Sequence, residues 1–108
     1  MEESTNINQS YNNVSASEFN QLMNDRPDAI VLDVRTPPEV QQQVLEGALN
    51  IDFMEPNFAQ QVAGLDKSKT YLVYCRSGNR SGQTCQLMSR LGFMDVYNLS
   101  GGLINWPY

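Results

Sequence analysis

The sequence predicts an α/β domain built on a mostly parallel sheet of about five strands, with helices on both faces. Three observations carry that reading. Five short runs with apolar or β-branched character (11–14, 29–33, 47–51, 70–74 and 95–99) alternate with helical patterns along the chain, as repeated βα units require. Residues 29–32 are continuously apolar, the mark of a strand covered on both faces. Two of the helical segments open on a serine or threonine followed three residues later by glutamate, the signature of a capped helix start.

Residues 1–10 are acidic, polar and rich in Ser and Asn; they read as a flexible tail, and residues 11–108 as the domain. Tyr11 to Val14 form a first short strand. Ser15 and Glu18 make a capping box, and the helix behind it places Phe19, Leu22 and Met23 on one buried face, stopping before Asp25. The apolar run 29–33 is the second strand. Thr36 caps a short helix with Pro37 in its first position and Glu39 in its third, reaching about Gln43. Residues 47–51 read as a brief strand and 54–57 as a loop. Phe58, Val62 and Leu65 lie at helical spacing. A polar connection, 66–69, leads into the central strand at 70–74. Residues 79–91 form a helix that Gly92 stops, and 95–99 the last strand. Gly101 and Gly102 turn the chain into a final helical turn over 103–106. There is no internal repeat and no interdomain linker.

At 108 residues the chain has room for a single core. A net charge of −5 argues against nucleic-acid or anionic-membrane partners, and nothing resembles a signal peptide or a membrane span. The absence of histidine removes His-based metal sites, Cys–His dyads and Ser–His–Asp triads together. Two cysteines, Cys75 and Cys85, are too few for a disulfide scaffold and fit a reducing compartment, so the expected location is the cytoplasm. No metal or cofactor is implied, and the chain is expected to be a monomer.

The chemistry gathers at the end of the central strand. Cys75 closes an apolar run, and Arg76, Ser77, Gly78, Asn79, Arg80 and Ser81 lead into a helix. A thiol there faces successive loop N–H groups and a helix N-terminus, both of which lower a thiol pKa and attract anions. Arg76 and Arg80 add positive charge. Cys75 therefore reads as a nucleophile in an anion-binding cradle, with Gly78 supplying a backbone angle that a β-carbon opposes. In an open α/β sheet, ligands bind beyond the C-terminal strand ends. Asp33 and Arg35 leave their strand at that same edge.

Five motifs in order make the chain similar to the single-domain rhodanese family of sulfurtransferases. They are residues 32–37 (LDVRTP), 46–50 (EGALN), 73–81 (VYCRSGNRS), 91–93 (LGF) and 99–102 (LSGG), with Trp106 close behind. The resemblance spans about residues 12 to 107. It implies a three-layer α/β/α domain, and sulfur transfer through a Cys75 persulfide. The sulfur comes from a small sulfur-containing anion such as thiosulfate, or from a protein persulfide. The acceptor is cyanide or another thiol. N–H groups of residues 76–80 stabilise the persulfide, and Arg76 and Arg80 hold the donor and the departing sulfite. One departure is visible: where members often carry Gly-His-Ile, this chain has Gln43-Val44-Leu45. Rhodanese-like phosphatases have one more residue between cysteine and arginine than the four found between Cys75 and Arg80. The tighter loop suits a sulfur atom better than a phosphate ester.

The other polar groups read as supporting. Arg35 is expected to pair with Glu39 or a nearby carbonyl and fix the second loop, and Asp33 to brace the cradle. Tyr74 reads as a sheet residue, Trp106 as packing, and Cys85, in line with Met88 in mid-helix, as a core residue. An alternative to an enzyme with its own turnover is a sulfur-relay or regulatory binding module.

Overall fold

A computed structural model describes residues 11–108; the tail predicted for residues 1–10 lies outside the described residues. The elements in chain order are β1 (Tyr11–Val14), α1 (Ala16–Asp25), β2 (Ile30–Asp33), α2 (Pro37–Gln42), β3 (Leu49–Asn50), α3 (Phe58–Ala63), β4 (Thr70–Tyr74), α4 (Asn79–Arg90) and β5 (Asp95–Leu99). A 3-10 turn follows at Leu103–Asn105. The strands form one sheet in the order β1-β5-β4-β2-β3, and every pairing is parallel. The predicted sheet of about five mostly parallel strands is thus parallel throughout.

Alternation along the central strands splits the core into two faces. Leu32, Tyr71, Val73 and Val96 pack with Phe58, Val62, Cys85 and Met88 from α3 and α4. Val31, Leu72, Tyr74 and Leu99 pack on the other face with Phe19 of α1 and with Leu103. Trp106 stacks edge-on against Phe19 at 5.8 Å, the packing expected of it.

The capping predictions are realised in local geometry. Glu18 N–H donates to the Ser15 hydroxyl at 3.2 Å, and Ser15 N–H donates back to the Glu18 carboxylate at 3.0 Å. Glu39 accepts from the Thr36 N–H and hydroxyl. Several boundaries differ from expectation, most by a single residue. Helix α1 keeps Asp25, with Arg26 as its cap. Strand β3 is two residues long, because Gly47 sits at a φ of 75° in a turn closed by Ala48 N–H on the Leu45 carbonyl. Helix α3 ends at Ala63, so Leu65 packs against the core from outside the helix.

Topology positions the site. Beyond β2 the chain moves outward to β3; beyond β4 it passes through α4 to β5 on the other side. Strands β2 and β4 are neighbours in register, with Asp33 opposite Tyr74. Their following loops diverge and leave a crevice between them, as at a switch point in an open α/β sheet.

Candidate active site

Strand β4 carries Cys75 to the floor of this crevice. The chain then turns through Arg76 and Ser77, and Gly78, in the left-handed region at a φ of 96°, is the N-cap of α4. This turn folds the loop amides back over the sulfur. Gly78 N–H lies 3.1 Å from Cys75 Sγ, and the Ser81 N–H and hydroxyl each lie 3.3 Å from it. Cys75 is only 3% exposed, and Ser81 is fully buried. Burial pushes the thiol pKa up. The Ser81 hydroxyl, the Ser81 and Gly78 N–H groups and the Ser77 N–H outweigh it and bring the pKa below the ordinary thiol value.

The sulfur faces a cavity of about 310 Å³ lined by Arg35, Glu39, Cys75, Arg76, Ser77, Asn79 and Arg80. Arg76 and Arg80 are exposed at its rim. The Arg80 guanidinium also lies 5.7 Å from the centre of the Phe53 ring. All seven residues of the predicted cradle, 75 to 81, therefore stand around one sulfur atom or its cavity. The donors aimed at the sulfur differ from the expected set of N–H groups 76–80: Ser81 lies just beyond that range and contributes two of the contacts, because its amide and hydroxyl both belong to the first turn of α4.

Asp33 and Arg35 act on each other. Arg35 Nη2 donates to Asp33 Oδ2 at 2.7 Å, Nε reaches both carboxylate oxygens, and the Arg35 N–H also donates to Oδ1. The expected pairing of Arg35 with a nearby carbonyl is present, and the expectation for Asp33 is corrected. The carboxylate that pairs with Arg35 is Asp33, while Glu39 and Gln43 accept through their backbone carbonyls. Asp33 braces the Arg35 loop and the end of β4, rather than accepting from the cradle amides. A two-residue spacing folds the side chain back on its own strand end, while the Glu39 carboxylate is engaged by Thr36.

A family model described as a rhodanese-like domain matches residues 15–107. The chain belongs to the rhodanese-like domain family. It is 32% identical to a sulfurtransferase of Allochromatium vinosum, over 88% of this chain and 87% of that one. It is 39% identical to the thiosulfate sulfurtransferase PspE of Escherichia coli, over 65% of this chain and 67% of that one. A tRNA uridine(34) hydroxylase of Acaryochloris marina is 35% identical over 86% of this chain, which spans only 31% of that protein's length. Among solved structures, a rhodanese-related protein from Thermoplasma volcanium superposes with a TM-score of 0.76 at 28% identity, covering 89% of this chain and 90% of the other.

The rhodanese-like fold also accounts for the departure at Gln43-Val44-Leu45. This segment is held through its backbone: the Gln43 carbonyl accepts from Arg35, and the Leu45 N–H donates to the Tyr74 hydroxyl at 3.1 Å. The Val44 side chain is exposed and lines neither the thiol cavity nor its neighbour. The crevice wall here is thus held by backbone contacts that do not depend on the side chain at position 44.

Sequence reasoning assigned Tyr74 to the sheet and missed its hydroxyl, which also donates to Asp33 at 2.6 Å. The available signal was a tyrosine at a fully buried strand position, where the phenol requires polar partners. Burial first, and then the hydrogen bond to Asp33, hold its pKa above the usual phenol value. Asn98 was missed as well; it is buried in β5, and its amide donates to Asn13 at 2.8 Å and to the Gly78 carbonyl at 3.4 Å. Cys85 is fully buried, as expected, and burial drives its pKa up. Among the described residues, no helix is long and apolar enough to cross a membrane.

Proposed function

We propose that this rhodanese-like chain is a sulfurtransferase that carries sulfane sulfur as a persulfide on Cys75. The observation that carries the proposal is a thiol with a depressed pKa, held under Gly78 and Ser81 and opening into a cavity rimmed by two arginines. The thiolate attacks the outer sulfur of thiosulfate. A new S–S bond forms, the S–S bond of thiosulfate breaks, and sulfite leaves with the electron pair. Cyanide or a thiolate then attacks the outer sulfur of the persulfide, and the Cys75 thiolate is regenerated. No general base is required when the nucleophile is already ionised, which suits a chain without histidine. Arg76 and Arg80 bind the anionic donor and the departing sulfite. The thiosulfate named for the Escherichia coli relative supports this donor class. The hydroxylase relative is matched over under a third of its length, and the group this chain positions is a thiol. The two free thiols fit work in the reducing cytoplasm.

A second cavity of about 650 Å³ adjoins the first and shares Arg35, Glu39 and Arg76 with it; Trp106, Leu103 and Ile104 form its far wall. That space exceeds what thiosulfate fills. It favours a second reading, in which a bulkier persulfide donor feeds Cys75 as part of a relay.

The deciding experiment is intact-mass measurement after incubation with thiosulfate, comparing wild type with Cys75→Ser. One added sulfur on wild type alone, removed by cyanide as thiocyanate, is expected. An unmodified wild-type mass with Cys75 reduced and accessible rules out thiosulfate as donor. Loading by a protein persulfide then decides for the relay, and failure of both donors overturns the persulfide carrier.

A further inference from the structure

The cradle loop and the turn after β5 pack backbone against backbone. A Cβ built on Gly78 would stand 2.2 Å from the Ser100 carbonyl oxygen, and one built on Gly102 would stand 2.1 Å from the Arg76 carbonyl oxygen. Both glycines have positive φ, 96° and 70°. Each segment thus carries a residue without a side chain where the other passes. Across this contact, Leu103 N–H donates to the Cys75 carbonyl at 2.9 Å and Ile104 N–H donates to the Arg76 carbonyl at 3.0 Å.

These bonds have a geometric consequence for the thiol. In a planar trans peptide the C=O and N–H point in opposite directions. The Arg76 carbonyl is drawn toward Ile104, so the N–H of the same peptide, on Ser77, is turned the other way, and a backbone hydrogen bond from Ser77 is among the contacts that lower the Cys75 pKa. Hydrogen bonding at the carbonyl also polarises that N–H. We infer that the Ile104 backbone amide is a positioning group for the cradle: by holding the Arg76 carbonyl it aims the Ser77 N–H at Cys75. The charged and titratable side chains around the thiol are Arg35, Glu39, Arg76 and Arg80 at the cavity and Cys85 from α4. A change confined to the amide of residue 104 leaves all of them in place. The Ile104 side chain is 61% exposed, so its identity matters little to packing.

The inference rests on Cys75 being the reacting thiol, but its test needs no sulfur donor, so its failure is distinguishable from failure of the persulfide mechanism. The pH dependence of Cys75 alkylation by iodoacetamide is measured for wild type, Ile104→Ala, Ile104→Pro, and full-length protein carrying an ester in place of the residue 104 amide. Alanine keeps the N–H and is expected to follow the wild-type curve. Proline and the ester both lose it. They are expected to move the midpoint to higher pH and to lower the rate on the acid side about five-fold, the worth of one ordinary hydrogen bond. Circular dichroism reports whether the proline variant folds; if it does not, the ester variant decides. An ester variant that follows the wild-type curve overturns the inference, and so does an alanine variant that shifts as far as the ester.

Discussion

Tyr74 and Asp33 stand opposite each other at the ends of β4 and β2, and the Tyr74 hydroxyl donates to Asp33 Oδ2 at 2.6 Å. The same hydroxyl accepts the Leu45 N–H, while Asp33 also takes the Arg35 guanidinium. Four groups from three segments are thereby fixed beside the nucleophile without touching its sulfur. The network holds one wall of the crevice, and the cradle forms the other.

Tyr74→Phe keeps the ring and removes the hydroxyl. It leaves the Leu45 amide without its partner and deprives Asp33 of one donor. A loss of about 1–3 kcal/mol is expected in urea unfolding. The alkylation midpoint of Cys75 should stay in place, because the hydroxyl contacts none of the cradle donors. A stability equal to wild type would mean that water replaces the phenol at no cost.

Asp33→Ala removes the anion that pairs with a 6% exposed guanidinium, leaving Arg35 with backbone carbonyls alone. An uncompensated buried charge costs about 3–5 kcal/mol. The double variant Asp33→Ala with Arg35→Met should recover part of that loss, since it removes both charges. Equal instability of the single and double variants would show that the guanidinium's hydrogen bonds to Glu39 and Gln43 matter more than its charge balance.

Much of this site was legible in the sequence because its determinants are local. Cys75 to Ser81 form one continuous strand–turn–helix unit, and the two glutamate capping signals act within three residues. Long-range partners were not legible. Arg35 was expected to meet Glu39 or a nearby carbonyl, and only the folded strand end shows Asp33 as its carboxylate partner. The pairing of Tyr74 with Asp33 and Leu45 joins residues 41 and 29 positions apart. The contacts from Leu103 and Ile104 depend on β5 lying beside β4, an order that alternation of strands and helices does not specify. The length of β3 was misread for a related reason: as an edge strand paired only with β2, it ends where that pairing ends.

Ser81→Ala tests the cradle directly. It removes the hydroxyl at 3.3 Å from the sulfur and keeps the backbone N–H. With one donor gone, burial weighs more heavily and the thiol pKa rises. The alkylation curve should shift to higher pH, with about five-fold less thiolate on its acid side. Ser81→Cys, with a weaker donor, should fall between the two.

Gly78→Ala places a methyl group against the Ser100 carbonyl at a residue with φ 96°. The left-handed conformation alone costs about 1–2 kcal/mol, and the backbone contact must open as well. Both thermal stability and the Cys75 midpoint should move, because the Gly78 N–H is itself a donor to the sulfur. A stable variant with an unchanged midpoint would show that the turn can yield without disturbing the loop.

The depressed thiol pKa also makes a prediction about stability. The folded state holds the Cys75 proton less tightly than the unfolded state, so between the two pKa values unfolding takes up protons and stability rises with pH. The contribution is complete above the unfolded thiol value of about 8.5. It is lost as pH falls through the lower native value, below which both states are protonated. Urea unfolding of wild type and Cys75→Ser across this range isolates the effect, since serine does not titrate. Wild-type stability relative to the variant should be least on the acid side and increase toward pH 8.5, about the ordinary thiol value. Cys85 acts in the opposite sense, because burial raises its pKa, but it is present in both proteins and cancels to first order. A difference that stays flat with pH would mean that Ser77, Gly78 and Ser81 fail to stabilise the thiolate, and the case for an ionised nucleophile at neutral pH would fall with it.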